Sequence, residues 1–381
     1  MLSAVAHQLK ACLRPEDTVA RFGGDEFTIL LEDIQDISDA TRVAQQLNEE
    51  FGKSFNLNGY FVFTMASIGI ALSSTEDYDR PTDLVRDASI AMYRAKAQGR
   101  ARFAVFDRAM HDESVILLQL ENDLRQDVEG MGNQPNNQFH LYYQPIVRLS
   151  TGRISGFEAL LRWQHSTRGL VSPAQFIPAA EETGMIVPIG KWVLREACHQ
   201  MHTWQLAFSD RAPSMIAVNL SGKQFLQLDL VEQINQILQE TGLKAGNLKL
   251  EITESVVMEN SSEAALMLER LKALGVQLSI DDLGTGYSSL SRLQSFPVNT
   301  LKIDRSFVNQ IGPEGENSEI VQAIIVLAAQ IGMSVTAEGV ETVAQLNKLK
   351  ELQCEEGQGY FFSQPLTSQA AQELIAAAPH W

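Results

Sequence analysis

I-S-G-F-E-A-L-L, residues 154–161, is an apolar strand that carries a carboxylate, Glu158. It heads a series of acidic residues at the ends of predicted strands. Glu251 lies in L-K-L-E-I-T-E-S, Asp281 and Asp282 in L-S-I-D-D-L-G-T-G, and Glu338 in S-V-T-A-E-G-V-E. Asn219 in I-A-V-N-L-S and Lys302 in T-L-K-I-D join them. Apolar strands ordinarily end in turn residues. Ending one after another in carboxylates costs desolvation unless something divalent gathers them.

Outward from that stretch, strands and helices alternate to the end of the chain. Strands are predicted at 141–147, 154–161, 215–220, 248–253, 277–282, 300–304, 334–339 and 357–362. Helical patterns fall between them: a long region to about 208, then 228–241, 261–274, 317–331 and 342–352. Repeated βα units over about 240 residues favour a parallel barrel over an open sheet. Barrel enzymes place their chemistry at the C-terminal ends of the strands, where these acidic residues fall.

Ahead of the barrel, residues 1–107 read as a smaller α/β block. A helix over 2–13 precedes a hairpin of T-V-A-R-F (18–22) and F-T-I-L-L (27–31) around Gly23-Gly24. A helix at 37–51, a strand at 61–71, a helix at 81–98 and a strand at 101–106 follow. Residues 108–138 are a linker helix and loop, ending in the linker-like G-M-G-N-Q-P-N-N-Q of 130–138.

Composition narrows the function. With 381 residues, 45% hydrophobic and 20% charged, the chain reads as an ordinary globular protein with room for a large core. Its net charge of −17 argues against a DNA or RNA polymer or an anionic membrane surface as partner. A small anionic ligand remains compatible, since bound cations reverse the sign inside a pocket. Cys12, Cys198 and Cys354 are odd in number and widely spaced, as expected of reduced thiols in a cytoplasmic protein. The apolar run Ile320–Val335 is too short to span a bilayer, and no signal peptide is read. A longer parent protein anchored in a membrane stays compatible with this.

Glu158, Asn219, Glu251 and Asp281 offer oxygen ligands of the kind Mg²⁺ or Mn²⁺ prefers. The adjacent Asp281-Asp282 pair can serve two ions with Asp281 bridging, and Glu338 can complete the second site. Two such ions activate water and stabilise the leaving oxygen in phosphodiester cleavage. Lys302 adds positive charge, and Arg162 shares a strand face with Glu158 by period two and can clamp a phosphate. One glutamate at a strand end is usually a solvated loop residue, and Lys302 with Asp304 can be a rim ion pair. Six coincident placements outweigh the single-residue reading.

The motifs Y-Y-Q-P-I-V, E-A-L-L-R-W, P-A-Q-F-I-P-A-A-E-E-T-G, V-N-L-S, L-E-I-T-E-S, D-D-L-G-T-G-Y-S-S-L, L-K-I-D, A-E-G-V-E and Q-G-Y-F-F-S-Q-P-L cover residues from about 113 to 381. This region strongly resembles the EAL family of cyclic di-GMP phosphodiesterases. The resemblance implies a modified TIM (β/α)8 barrel over 139–381, its first strand antiparallel to the rest and its first helix starting near 113. It implies hydrolysis of cyclic di-GMP to linear pGpG with two Mg²⁺ or Mn²⁺, Ca²⁺ inhibiting. One ion falls to Glu158, Asn219, Glu251 and Asp281, the other to Asp281, Asp282 and Glu338. Glu158, Lys302 and Glu338 are the expected catalytic residues, Lys302 assisting the attacking water. Gln144, Leu160, Arg162 and Gln358 match substrate- or water-contacting positions. Glu254 orders the D-D-L-G-T-G loop, and Glu341 sits behind Glu338. A homodimer through the EAL domain is implied as well. Leu283 stands where the family usually has Phe, which loosens the loop without adding polarity. A receptor that holds the dinucleotide without cleaving it, and a partner-binding scaffold, are the rival readings.

R-F-G-G-D-E-F (21–27), A-S-I-G and D-A-S-I-A-M-Y-R-A-K-A-Q-G-R resemble the later part of a GGDEF, or diguanylate cyclase, domain. Gly23 and Gly24 let backbone approach a triphosphate, Asp25 and Glu26 supply a ligand and a charge, and Phe27 closes the signature. The family's first strand, with its aspartate ligand and guanine-recognising residues, has no counterpart in the sequence. Arg14 and Asp17 match the family's R-x-x-D inhibitory site for cyclic di-GMP. The companion basic residue is replaced by Gln45 and Gln46, and a solvated turn at Pro15 is the plainer alternative. The chain is expected to make no cyclic di-GMP from GTP at any metal concentration. Chromatography of the nucleotide products checks this, and any cyclic product from purified protein would refute the reading.

Overall fold

The computed structural model describes every residue except 58–59, 75–77, 79, 132–136, 260, 284–292 and 313–314. The side chains of 56–57, 60, 210, 259, 261–262 and 282–283 also lie outside the description. The chain divides into two compact units, Met1–Leu120 and Glu121–Trp381.

In the first unit, strands β1 (Thr18–Gly23) and β2 (Glu26–Leu30) form an antiparallel hairpin. β3 (Phe55–Leu57) pairs antiparallel with β4 (Tyr60–Val62), and β5 (Ile68–Ile70) pairs parallel with β6 (Phe103–Val105). The expected single strand over 61–71 is therefore two strands separated by Phe63–Ser67, and the two halves join different partners. The amphipathic helices Leu2–Cys12 and Ile37–Phe51 bury Leu9, Leu47 and Phe51 against Val19, Phe27, Ile29 and Ile68.

In the second unit, β7 (Phe139–Arg148) and β8 (Arg153–His165) are antiparallel. A short β9 (Gly169–Val171) extends β8 outward. β10 (Met215–Asn219), β11 (Leu248–Thr253), β12 (Gln277–Leu283), β13 (Thr300–Ile303), β14 (Ser334–Ala337) and β15 (Glu356–Gly357) run parallel to one another. β15 then pairs with β7, and β8 pairs with β10. Among the described residues, eight strands thus close a ring, and β7 is the antiparallel member, as the resemblance implied.

Period-two alternation explains what the ring encloses. Tyr143 and Phe157 face outward onto Trp204 of the helix Ile186–Phe208, with ring centroids 4.9 and 5.1 Å from it. Their chain neighbours Gln144 and Glu158 therefore face the lumen. Leu250 and Leu301 are fully buried on the helix side, which turns Glu251 and Lys302 inward.

Glu158 does not end its strand but lies in the middle of β8. β8 outlasts its parallel pairing with β10, which stops at Ala159, because its far half continues as the hairpin with β7. The expected strand at 357–362 is only the two residues of β15 followed by a turn, since Phe361 and Phe362 bond back to Val340 and Gly359.

Trp163 anchors the hairpin. It is fully buried, stacks on Phe139 at 6.2 Å, meets Phe176 edge-on at 5.5 Å, and donates its indole N–H to Asp127 at 2.7 Å. Trp163→Ala is expected to lower unfolding stability by about 3–5 kcal/mol, measurable by urea denaturation.

Candidate active site

Lys302 is 1% exposed, on β13, with its ammonium inside the mouth of the ring. Nζ lies 2.6 Å from Glu251 Oε2, 2.6 Å from Glu338 Oε1, 3.5 Å from Asp281 Oδ1 and 3.6 Å from Glu158 Oε2. Four carboxylates from four other strand positions thus converge on one cation. The alternative reading, a rim pair with Asp304, is not what forms. Asp304 instead caps the helix Arg305–Val308 through the Ser306 N–H, because the residues flanking Lys302 face the helices and turn it inward.

The site grades from dry to wet. Glu251, Glu158 and Gln358 are buried, Asp281 and Glu338 half-buried, and Asn219 exposed. Glu158 is held from both sides: the Asn219 amide donates to Oε1 at 2.6 Å and the Gln358 amide to Oε2 at 2.7 Å. Gln358 also donates to Gln144 Oε1 at 3.0 Å, and Gln144 donates to the Ser363 carbonyl at 3.1 Å. The buried Gln358 Oε1 has no hydrogen-bond partner, an acceptor left over at the floor of the site. Gly359 follows Gln358 because the backbone passes Val340 so closely that a Cβ would sit 2.2 Å from its carbonyl oxygen.

Burial and like charges shape the ionisation. Burial pushes Glu251 up to about 8, and Glu158 and Asp281 add to the rise against the opposing pull of Lys302. Burial likewise pushes Glu338 up to about 7, with Asp281 and Glu158 adding and Lys302 opposing. Lys302 itself is disfavoured by burial, yet the surrounding carboxylates outweigh that and hold its ammonium well above the usual lysine range. One ammonium does not neutralise this many carboxylates. Among the described residues, no three acidic, histidine or cysteine side chains are spaced to hold a metal ion, although four carboxylates share Lys302 as a neighbour. The point they surround is taken by Lys302.

Glu158, Leu160 and Arg162 lie on one face of β8 in unbroken register opposite Gln144, Tyr142 and His140. Arg162 stands over the Tyr142 ring at 5.4 Å and donates to the Leu161 carbonyl at 2.9 Å. Burial lowers its pKa, and Tyr142, Tyr360 and Glu158 partly restore it. Leu160 is partly exposed beside it. Glu254 is buried at the start of the helix Glu254–Glu259, but residues 284–292 of the loop it was expected to order lie outside the described residues, as does the side chain of Asp282. Glu341 is exposed, and its backbone N–H is bound by Gln345.

In the first unit, Gly23, Gly24 and Asp25 form the exposed hairpin tip, Gly24 with φ of +50° and its carbonyl bound by Arg21. Glu26 is half-buried, and Phe27 packs inward. Asp17 spends its carboxylate on the backbone N–H groups of Arg14, at 2.9 Å, and Glu32, at 3.3 Å. Arg14 is exposed. That geometry is a capped turn about Pro15.

Two lumen residues escaped the sequence reading. Lys249 and Glu356 are buried one step below Glu251 and Gln358 on the same faces of β11 and β15. A lysine two residues before Glu251 in an otherwise leucine-rich strand was the available signal.

A closed ring of this kind, with carboxylates gathered at its mouth, has a known kinship. Residues 122–365 match the family model described as EAL domain, and residues 1–102 match that of diguanylate cyclase, GGDEF domain. The chain belongs to the EAL-domain family. It is 41% identical over 377 residues, 99% of its own length, to MucR of Pseudomonas aeruginosa, described as a bifunctional diguanylate cyclase/cyclic di-GMP phosphodiesterase. It is 40% identical over 377 residues to NbdA of the same organism, a cyclic di-GMP phosphodiesterase. The chain spans 53% and 47% of these two proteins, about half the length of the curated relatives it matches. Among solved structures, the MucR phosphodiesterase in complex with c-di-GMP superposes with a TM-score of 0.62 and 43% identity, over 66% of this chain and 99% of that one. The EAL enzyme Bd1971 with cAMP and cyclic-di-GMP gives a TM-score of 0.65 at 34% identity, over 78% of this chain and 76% of that one. Among the described residues, no helix is long and apolar enough to cross a membrane.

The raised carboxyls set a pH dependence. Glu251 and Glu338 bind protons more tightly folded than unfolded, so the stability they lend is fully present below about 4.5 and is lost as pH rises through about 7 to 8. In EDTA, the Glu251→Gln chain is expected to lose less melting temperature between pH 5.5 and 8 than the wild type. Equal slopes for the two proteins would contradict the assigned crowding.

Proposed function

We propose that this chain hydrolyses cyclic di-GMP to linear pGpG, using two divalent cations of the Mg²⁺ or Mn²⁺ class. The observation that carries the proposal is the Lys302 ammonium surrounded by four carboxylates at the mouth of an EAL-family ring. The donor set fits such ions, since every side chain in it offers hard oxygen. Charge fits as well. Glu158, Glu251, Asp281, Asp282 and Glu338 against Lys302 sum to −4 when all are ionised, which two divalent ions balance.

Glu158, Asn219, Glu251 and Asp281 would hold the first ion, and Asp281, Asp282 and Glu338 the second. Asn219 offers its carbonyl end once the amide turns, a rotation that costs only its bond to Glu158. When bound, such a pair supplies Lewis-acid activation of water and of the leaving oxygen. The protein's own contribution is orientation and charge. Lys302 keeps a fixed positive charge beside the carboxylates. Gln358 and Gln144 hold Glu158 at a set angle, and the open Gln358 Oε1 offers an acceptor for a water proton. Arg162, steadied over Tyr142, presents a guanidinium to a phosphate. The similar MucR phosphodiesterase, solved in complex with c-di-GMP, supports the choice of substrate.

The test is incubation with cyclic di-GMP in Mg²⁺, Mn²⁺ or Ca²⁺ and separation of the products. pGpG is expected in the first two and little in Ca²⁺, whose longer, looser coordination misplaces the water. Ligand bound but uncleaved in Mg²⁺ and Mn²⁺ would favour a receptor, and equal turnover in Ca²⁺ would remove the two-ion assignment.

Variants separate the roles. Glu158→Ala is expected to abolish turnover. Lys302→Ala is expected to lower kcat by about 10²–10⁴-fold while the dinucleotide still binds, since its role lies in the chemical step. Near wild-type activity in Glu158→Ala would mean that the site has been misplaced.

A further inference from the structure

The second lumen layer has no part in the scheme above, yet it is built from buried charges. Lys249 is 3% exposed and Glu356 6%. Nζ of Lys249 stands 3.6 Å from Glu356 Oε2, and the same oxygen accepts from the Thr336 hydroxyl at 3.3 Å. Arg148 approaches the other oxygen at 3.8 Å.

The ring order shows what this pair spans. Counting from β11 through β12, β13 and β14 to β15 gives four steps in a ring of eight, so Lys249 and Glu356 reach each other across the full lumen. Lys302 on β13 and Glu158 on β8 are also four steps apart, and their contact crosses the lumen one layer higher. The two spans are offset by two strands, a quarter turn. Small residues such as Ala217, Ser279 and Thr300 on the intervening strands leave the space that the long side chains cross.

Stability alone does not account for the pair. A buried ion pair commonly does no better than an apolar pair of similar volume. Its value is directional: it fixes the distance between two opposite strands. Lys249 precedes Glu251 by two residues on β11, and Glu356 precedes Gln358 by two residues at β15. Both strands therefore deliver side chains to the carboxylate cluster directly above the pair.

We propose that Lys249 and Glu356 are positioning residues for the metal centre. Their cross-lumen ion pair sets where Glu251 stands relative to Gln358 and, through Gln358, relative to Glu158. The inference rests on the metal-site reading proposed above. Small octahedral cations tolerate little displacement of a ligand, so the loss of the pair is read first in metal affinity.

The test uses the whole chain and the double variant Lys249→Met/Glu356→Leu, which leaves no unpaired buried charge, with Glu356→Gln as the single comparison. Mn²⁺ affinity is measured by calorimetry without dinucleotide, beside the melting temperature and the kcat and KM for cyclic di-GMP. The double variant is expected to melt at or above the wild-type temperature in EDTA, yet to bind Mn²⁺ about 10–100-fold more weakly, as large an effect as removing a group that orients a ligand directly. At saturating Mn²⁺, kcat is expected to fall while KM for the dinucleotide stays near the wild-type value. Wild-type Mn²⁺ affinity and kcat in a folded double variant, or in a folded Glu356→Gln chain, would overturn the positioning role alone. A wild-type chain that binds no Mn²⁺ would overturn the metal-site reading and this inference with it.

Discussion

One ammonium among four carboxylates is the constraint on which the site depends. Lys302 is buried beyond the reach of bulk water, and so are the two carboxylates that frame it most deeply, Glu158 and Glu251. A charged group in that setting is tolerated only with partners at contact distance. The rest of the lumen follows from supplying them. Glu158 needs Gln358 and Asn219, Gln358 needs Gln144, and Gln144 needs the Ser363 carbonyl. The outer faces of the same strands are apolar and aromatic because the helices must cover them. Tyr143 and Phe157 meeting Trp204 back to back with Gln144 and Glu158 illustrate how closely the two environments are apposed.

Alternation made much of this legible. The repeated strand–helix pattern placed Glu251 and Lys302 at strand ends, and period two put Arg162 on the face of Glu158; that alternation also turns Glu251 and Lys302 inward emerged with the ring. The barrel was expected from the repeated βα units, but its antiparallel first strand was reached through family resemblance, since nothing in Y-Y-Q-P-I-V itself gives the strand's direction. Local signals failed where a strand changes partners. Glu158 read as a strand end because the parallel barrel stops beside it, whereas the chain runs on as a hairpin. Residues 61–71 read as one strand because β-branched and aromatic residues continue through a segment that joins two separate pairings.

Pairings across the ring were beyond sequence reading for a different reason. Lys249 and Glu356 are distant in sequence, and only closure of the ring brings them together. Asp304 shows the converse. Proximity in sequence suggested a pair with Lys302, but the strand's period sends the lysine into the lumen while the aspartate begins a helix. In the R-x-x-D turn, Asp17 accepts from the backbone N–H groups of Arg14 and Glu32, contacts that the motif alone does not give.

If the carboxylates around Lys302 form the proposed two-cation centre, the ions themselves can be located. Anomalous diffraction from crystals of the chain grown with Mn²⁺ tests it most directly. Two peaks about 3.5–4 Å apart are expected at the mouth of the ring. One should be bounded by Glu158, Asn219, Glu251 and Asp281, the other by Asp281, Asp282 and Glu338. Manganese bound elsewhere, with the Lys302 ammonium still filling the centre of the carboxylate cluster, would contradict it.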